Sequence, residues 1–226
     1  MFIFLDTETT GNDPADRLCQ LAFKTDEGIT VNELFNPGMP ISIEAMSIHH
    51  ITNEMVQDKP SFRDSNIWQQ LHDLLNSDDN VMVAHNAAFD VDMLKKEGIE
   101  PKNVVCSLKL ARHLDKEGVI PQYGLQYLRY YLNLNIDATP HDALGDILVL
   151  EAIFKRIHSK VVDEYGDAAT DKMIEISSRP VLYRRMPFGK HKGMKIEDVP
   201  VDYLQWLSGT DLDGDMRYTV EHYLKL

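Results

Sequence analysis

The sequence predicts an α/β fold: a mixed five-stranded sheet flanked by helices, with a small C-terminal module. Three observations predict it. Apolar runs punctuated by turn residues fill the first 35 positions, apolar runs alternate with helical patterns from residue 81, and the charge balance changes near residue 178. Strands first and helix-linked strands after are the pattern of a mixed sheet covered by helices. The 226 residues, 43% hydrophobic and 26% charged, have the balance of a globular chain rather than a disordered one. Such a length holds one large domain, or one of about 150–180 residues plus a small appendage.

Residues 2–5 are a continuous apolar run ahead of the turn residues Gly11, Asn12, Asp13 and Pro14, as expected of a buried strand. Residues 18–23 and 29–35 read as two more strands; in the second, Ile29, Val31, Glu33 and Phe35 alternate with polar neighbours. Asp26-Glu27-Gly28 between them marks a hairpin, so three antiparallel strands open the fold. Residues 43–51 and 64–75 carry helical patterns. Residues 81–84 form a fourth strand, a helix over about 88–97 stops at Gly98, and residues 104–106 form a fifth strand. Helices follow over 108–114 and 125–132.

Thr139-Pro140-His141-Asp142 has the pattern of a capping box with proline at the first helical position. It opens a long amphipathic helix in which Leu144, Ile147, Leu148, Glu151, Phe154 and Ile157 recur at helical spacing, Glu151 being the polar exception. The pattern weakens over 163–180, where Met173, Ile174 and Ile176 allow one more helix. Two short helices near 201–207 and 216–224 close the chain. The expected organisation is a body over 1–165, a linker or helix over 166–180 and a module over 181–226. A module of that size has a marginal core of its own, which predicts that it packs on the body.

Composition excludes several classes. No stretch approaches the roughly 18 uncharged apolar residues that span a bilayer, so no membrane partner is expected. The N-terminus reaches an acid at residue 6 without a basic segment, which predicts no signal peptide. Cys19 and Cys106 lie in separate apolar runs and give neither a disulfide framework nor a zinc site; they read as buried thiols in a reducing, cytoplasmic compartment. The net charge of −13 argues at first against a polyanionic substrate. Residues 1–178 hold 15 Lys/Arg against 29 Asp/Glu, whereas residues 179–226 hold 8 against 7. Within the tail, residues 183–195 contain Arg184, Arg185, Lys190, Lys192 and Lys195 and no acid. An acidic body with a locally basic tail can still bind nucleic acid if metal ions mask the carboxylates, so charge leaves the partner open.

Asp6 and Glu8 stand at the C-terminal end of the first strand, two residues apart and hence on one face. Side by side and uncompensated, two carboxylates repel and raise a pKa; a hard divalent cation such as Mg²⁺ or Mn²⁺ removes that penalty. Taken alone, the pair reads as a solvated strand end, common on surfaces. Asp90 follows the fourth strand and is accounted for as well by a first-turn acid favoured by the helix dipole. His85 in the same segment reads also as a loop histidine bonded to backbone. His141 and Asp146, five residues apart, would sit roughly 140° apart on one helix. They approach a common site only if His141 stands at the helix start or in the loop before it. Asp146 interrupts the apolar face and needs a cation or a donor nearby. Together, four acids and a histidine form a kit for metal-dependent phosphoryl transfer, with two cations about 4 Å apart on a phosphodiester and a histidine to take the proton of water.

Asp6-Thr7-Glu8-Thr9-Thr10-Gly11, His85-Asn86-x-x-Phe89-Asp90 and His141-x-Ala143-x-x-Asp146 resemble the three motifs of the DnaQ-like, DEDDh-type 3′–5′ exonucleases, with no essential position altered. The segment 47–52, Ser-Ile-His-His-Ile-Thr, and Gly124-Leu125-x-x-Leu128 match the same family, and the resemblance covers roughly residues 1–160. It implies a ribonuclease H-like fold. It implies Asp6, Glu8, Asp90 and Asp146 as catalytic ligands of two Mg²⁺ or Mn²⁺ ions, Asp6 touching both, with His141 as general base. It also implies that Glu44 and His49 contact the terminal nucleotide and that Thr9 sits near its 3′ end. The implied substrate is a DNA 3′ end, single-stranded or frayed, from which nucleoside 5′-monophosphates are released during repair or processing. Met46, Ile48 and Phe89 are available to stack a splayed base, or are core. The tail, from Met186-Pro187-Phe188-Gly189 to Trp206-Leu207, resembles the small C-terminal module of one exodeoxyribonuclease of this family. Its Arg184, Arg185, Lys190, Lys192 and Lys195 are candidate nucleic-acid contacts. Tyr203, Leu204, Trp206 and Leu207 fall at spacings that read as the buried face of a short helix. RNA as substrate remains open, since nothing here reads a 2′-hydroxyl. So do a proofreading role beside a polymerase or repair partner and a non-catalytic adaptor; the last has no need of the acid cluster.

Overall fold

The computed structural model describes residues 1–225. Five strands, β1 (Phe2–Thr9), β2 (Leu18–Thr25), β3 (Thr30–Leu34), β4 (Val81–Ala84) and β5 (Val104–Cys106), form one sheet in the order β3-β2-β1-β4-β5. The pairs β1–β2 and β2–β3 are antiparallel, and β1–β4 and β4–β5 parallel, which is the mixed sheet the sequence predicts. β1 runs four residues past its apolar stretch. Asp6 and Glu8 continue the ladder opposite Ala22 and Gln20, because a ladder needs backbone groups and not apolar side chains.

The helices are α1 (Ile43–His49), α2 (Asn53–Val56), α3 (Asn66–Leu75), α4 (Ala88–Lys96), α5 (Ser107–Leu114), α6 (Leu125–Tyr131), α7 (Ala143–Tyr165), α8 (Ala169–Ser178), α9 (Val201–Ser208) and α10 (Gly214–Tyr223). Alternation along β1 sorts the core into two layers. Phe4 and Val83 face α5 to α8, packing with Leu150, Phe154 and Met173, while Ile3, Leu5 and Met82 face α3 and α4, packing with Leu71 and Leu94. α8 thus contributes Met173 and Ile176 to the core of the body. Glu151, the polar exception on α7, accepts from Lys24 at 2.5 Å and pairs with Lys155 at 2.8 Å.

The start of α7 differs from the capping box expected at Thr139. Asp142 is the N-cap and accepts from the Gly145 amide at 3.1 Å, so the helix begins at Ala143. His141 has φ 58°, left-handed backbone that no helical residue adopts, and it stands in the loop.

The tail has its own small core of Met186, Ile196, Leu204, Leu207, Met216 and Val220. It is docked on the body through Arg112, which lies 2.9 Å from Asp215 and 4.0 Å from the ring centre of Tyr183, and through Arg185, which donates to the Gly118 carbonyl at 2.7 Å. One tail expectation fails. Leu204 and Leu207 are buried, but Trp206 is 61% exposed. At 100° per residue Trp206 sits about 160° around the helix from Leu204, so a core only one leucine layer deep leaves it outside.

Candidate active site

Asp6 and Glu8 share the β1 face that Phe4 turns toward α7, and Asp146 lies in the first turn of α7. That common face brings them together: one oxygen from each of Asp6, Glu8 and Asp146 lies within 4.8 Å of the others. Asp90 comes from the opposite layer. Its Oδ1 accepts from Thr7 Oγ1 at 2.8 Å, and it stands near enough to Asp6 to repel it. Burial, then repulsion by Asp90, Glu8, Asp146 and Asp142, holds the Asp6 carboxyl well above its ordinary value. Burial, with Asp146 and Asp90 adding to it, pushes Glu8 up to about 8. Burial raises Asp90 to about 7 against the bond from Thr7, and it raises Asp146 against bonds from Gln126 and the His141 backbone. Carboxyls that share raised affinities for protons are a donor set of hard oxygens that a divalent cation would suit.

His141 is exposed, its backbone N–H donates to Asp146 Oδ2 at 3.1 Å, and its imidazole acts electrostatically on both Asp146 and His49. The first, second and third motif segments therefore meet at the C-terminal ends of β1 and β4. Beside them is a cleft of about 480 Å³ whose walls include Thr9, Glu44, His49, Ile48 and Phe89. Glu44 is exposed there. Met46 is instead packed against the Cys19, Ile41 and Ala45 cluster.

His49 has both ring nitrogens engaged: Nδ1 accepts from the Ile51 amide at 3.0 Å, which leaves the proton on Nε2 to donate to the Thr9 carbonyl at 3.1 Å. Burial lowers its pKa, so it is held neutral. His85 is a backbone-bonded loop histidine, with Nε2 2.8 Å from the Tyr123 carbonyl and Nδ1 2.8 Å from Ser107 Oγ; burial pushes it down to about 4. Three residues the sequence did not single out serve the site. Gln126 Nε2 donates to Asp146 Oδ1 at 2.5 Å, Gln20 Nε2 donates to Asp142 Oδ1 at 3.2 Å, and Thr7 holds Asp90. Gln126 occupies a variable position of the Gly124-Leu125-x-x-Leu128 segment, and Gln20 faces Glu8 across the ladder. Only the pairing of strands and helices gives either a meaning.

The tail cations separate by environment. Arg185 is spent on the carbonyls of Gly118 and Gly193, and Lys195 lies 3.4 Å from Glu197. Arg184 is half-buried at the junction with the body, whereas Lys190 and Lys192 are exposed.

A mixed sheet with carboxylates converging where β1 and β4 end defines a nuclease, and the chain belongs to the exonuclease family, whose model matches residues 3–154. Within that family it is similar to exodeoxyribonuclease 10 of Escherichia coli (strain K12), with 32% identity over 100% of this chain and 99% of that one. It is also 31% identical to a DNA polymerase III subunit epsilon-like protein of Rhodobacter capsulatus, over 69% of this chain and 23% of the relative. Among solved structures, exonuclease X in complex with 5′ overhanging duplex DNA matches with a TM-score of 0.62 and 30% identity, covering 78% of this chain and 99% of that one. Exonuclease I of E. coli, at 19% identity and a TM-score of 0.59 over 80% of this chain and 46% of its own, shares the ribonuclease H-like fold. A second family model, described as "Putative quorum-sensing-regulated virulence factor", matches residues 178–213. No helix among the described residues is long and apolar enough to cross a membrane.

Proposed function

We propose that the chain is a metal-dependent 3′–5′ exodeoxyribonuclease that releases nucleoside 5′-monophosphates from single-stranded or frayed DNA 3′ ends. The observation that carries this reading is the convergence of Asp6, Glu8 and Asp146 oxygens within 4.8 Å, with Asp90 beside them. Asp6, Glu8, Asp90 and Asp146 would hold two Mg²⁺ or Mn²⁺ ions, which supply Lewis-acid charge to a phosphodiester when bound. The chain's own groups do the rest. His141, free in the loop, takes the proton of the attacking water. Glu44 and the Thr9 hydroxyl receive the terminal sugar in the cleft, while Ile48 and Phe89 pack its base. His49, with its nitrogens occupied, shapes the cleft rather than donating to the nucleotide. The kinship to exodeoxyribonuclease 10 supports DNA as substrate; DNA repair or processing in the cytoplasm is the setting proposed for it. Similarity to epsilon-like proteins supports a polymerase as a second kind of partner. We propose the same body and tail as units of function: an exonuclease unit ending near residue 165 and a module from about residue 181.

A 5′-labelled oligonucleotide incubated with and without Mg²⁺ tests the reading. A ladder shortening from the 3′ end only with metal, and lost in Asp6→Ala and His141→Ala, is the expected result. Shortening from the 5′ end, or a ladder unchanged in both variants, overturns it. A matched RNA strand in parallel separates the two sugars.

A further inference from the structure

The tail module presents a feature that the cleavage site does not use. Trp206, 61% exposed, leans on Tyr203 with ring centres 5.4 Å apart, and His191 packs edge-to-face with Tyr203 at 4.6 Å. A single exposed apolar side chain needs no explanation, but an exposed indole grouped with two further rings makes a patch, and a patch does. The three rings make a continuous aromatic ridge from α9 to the loop before it. That loop is held against the ridge: Gly189 has φ +73°, and a Cβ there would stand 2.5 Å from Tyr203 Oη. A residue with a side chain would lift the loop from the rings.

Lys190 and Lys192 flank His191 on this loop, both exposed, and neither pairs with an acid among the described residues. The nearest acid in sequence to the ridge, Asp202, turns its Oδ1 to the Tyr203 backbone N–H at 2.8 Å. The ridge thus exposes an indole face on tilted aromatic neighbours and is edged by two cations unpaired among the described residues, on a chain whose residues 1–178 carry 29 acids against 15 bases. A polyanion is repelled by most of this surface and attracted here, and an unpaired base has a face for the indole.

We infer that Trp206, with Tyr203, Lys190 and Lys192, is a second binding site for single-stranded nucleic acid: the indole stacks a base and the lysines take flanking phosphates. The inference rests on the reading of the chain as a nuclease, and it gives the tail the task of holding the strand away from the end being cut. It is independent of sequence because stacking and phosphate contacts do not read base edges.

The test uses the full chain in EDTA, where binding is measured without cleavage, and a labelled oligo-dT of about 20 nucleotides, longer than the roughly 4–16 covered by one such platform. Trp206→Ala weakens binding about tenfold and Trp206→Phe restores most of it. Lys190→Gln with Lys192→Gln lowers the slope of log affinity against log salt by about 1.4, two phosphates at roughly 0.7 each for a single strand. In Mg²⁺, Trp206→Ala cleaves a tetranucleotide at the parental rate. Binding and salt slope unchanged in these variants overturn the inference while leaving Mg²⁺-dependent shortening, and hence the nuclease reading, in place. Loss of self-association on sedimentation of Trp206→Ala, with DNA binding intact, overturns it in favour of a protein interface. Stacking without any cleavage sinks the nuclease reading alone.

Discussion

Gln126 fixes one oxygen of Asp146 and the His141 backbone fixes the other, so the orientation of this carboxylate is set before any ion arrives. Arg129 stands behind Gln126, donating to its Oε1 at 3.2 Å and to the Ala138 carbonyl at 3.1 Å. Groups that orient a ligand usually cost 10–100-fold in metal affinity or activity when lost. Gln126→Leu is therefore expected to weaken Mn²⁺ binding, read by calorimetry, by about tenfold or more, with the melting temperature nearly unchanged; unchanged Mn²⁺ affinity would refute the role. The carboxyls also set the response to pH. Glu8 at about 8 and Asp90 at about 7 hold protons in the folded chain that the unfolded chain has released above its ordinary carboxyl range. Their raised values stabilise the fold at pH near 4 and below, and that contribution is lost as pH rises through 7 and 8. The metal-free protein is expected to melt at a lower temperature at pH 8.5 than at pH 5.5, with Asp6→Asn reducing the difference and Mn²⁺ raising the melting temperature most at the higher pH. A melting curve flat across this interval would contradict it. The acids were legible only as an ordered set: each alone has a bland account, and their combination with the motif resemblance singles them out. Gln126, Gln20 and Thr7 were not, because an amide or hydroxyl gains its role from a partner that folding supplies.

Among the elements, the start of α7 decides how the third motif meets the first. The sequence pattern puts the cap at Thr139; the structure puts it three residues later, at Asp142. Asp142 prevails because Gln20 on β2 reaches its Oδ1 and because Arg129 ties down the carbonyls of Ile136 and Ala138 before the helix begins. His141 is left in the loop with its amide on Asp146. Gly145 permits this arrangement, since a Cβ there would collide with the Thr139 carbonyl. Gly145→Ala is expected to push the loop away and cut activity strongly while α7 persists in circular dichroism. Asp142→Ala loses one cap and about 1 kcal/mol in denaturant unfolding. Equal effects of the two changes on activity and stability would mean that the loop is not positioned by this contact. Strand and helix identities were readable over most of 1–160, because apolar periodicity and turn residues are local signals; the single turn of α2 (Asn53–Val56) was missed, being too short to show a period. The cap was not readable, because its choice depends on a residue 122 positions away.

For the whole molecule, the question is how an acidic body carries a basic module. Arg112 and Asp215, each with only 12% of its side chain exposed, lie at the junction; Asp215 also accepts from the Val181 amide at 3.1 Å, and Arg112 stacks on Tyr183. Removing Arg112 leaves Asp215 with only the longer Lys109 pair at 3.8 Å, a cost below the about 3–5 kcal/mol of a buried charge left wholly unpaired. Arg112→Met is expected to detach the module, seen as a separate low-temperature transition in calorimetry and as faster proteolysis near residue 180, while cleavage of a tetranucleotide persists. A single unaltered transition would show that other contacts hold the junction. The sequence by itself determined the fold class and the five strands, named the candidate acids and histidine, and showed the local basic run of the tail, since hydrophobic patterning and residue type are properties of short stretches. Tertiary structure decided which sheet face each acid reaches, that Asp90 arrives from the opposite layer onto Thr7 83 residues away, and that Trp206 is left in water. Those outcomes follow from which surfaces are covered when distant segments pack, and no local stretch of chain contains that information.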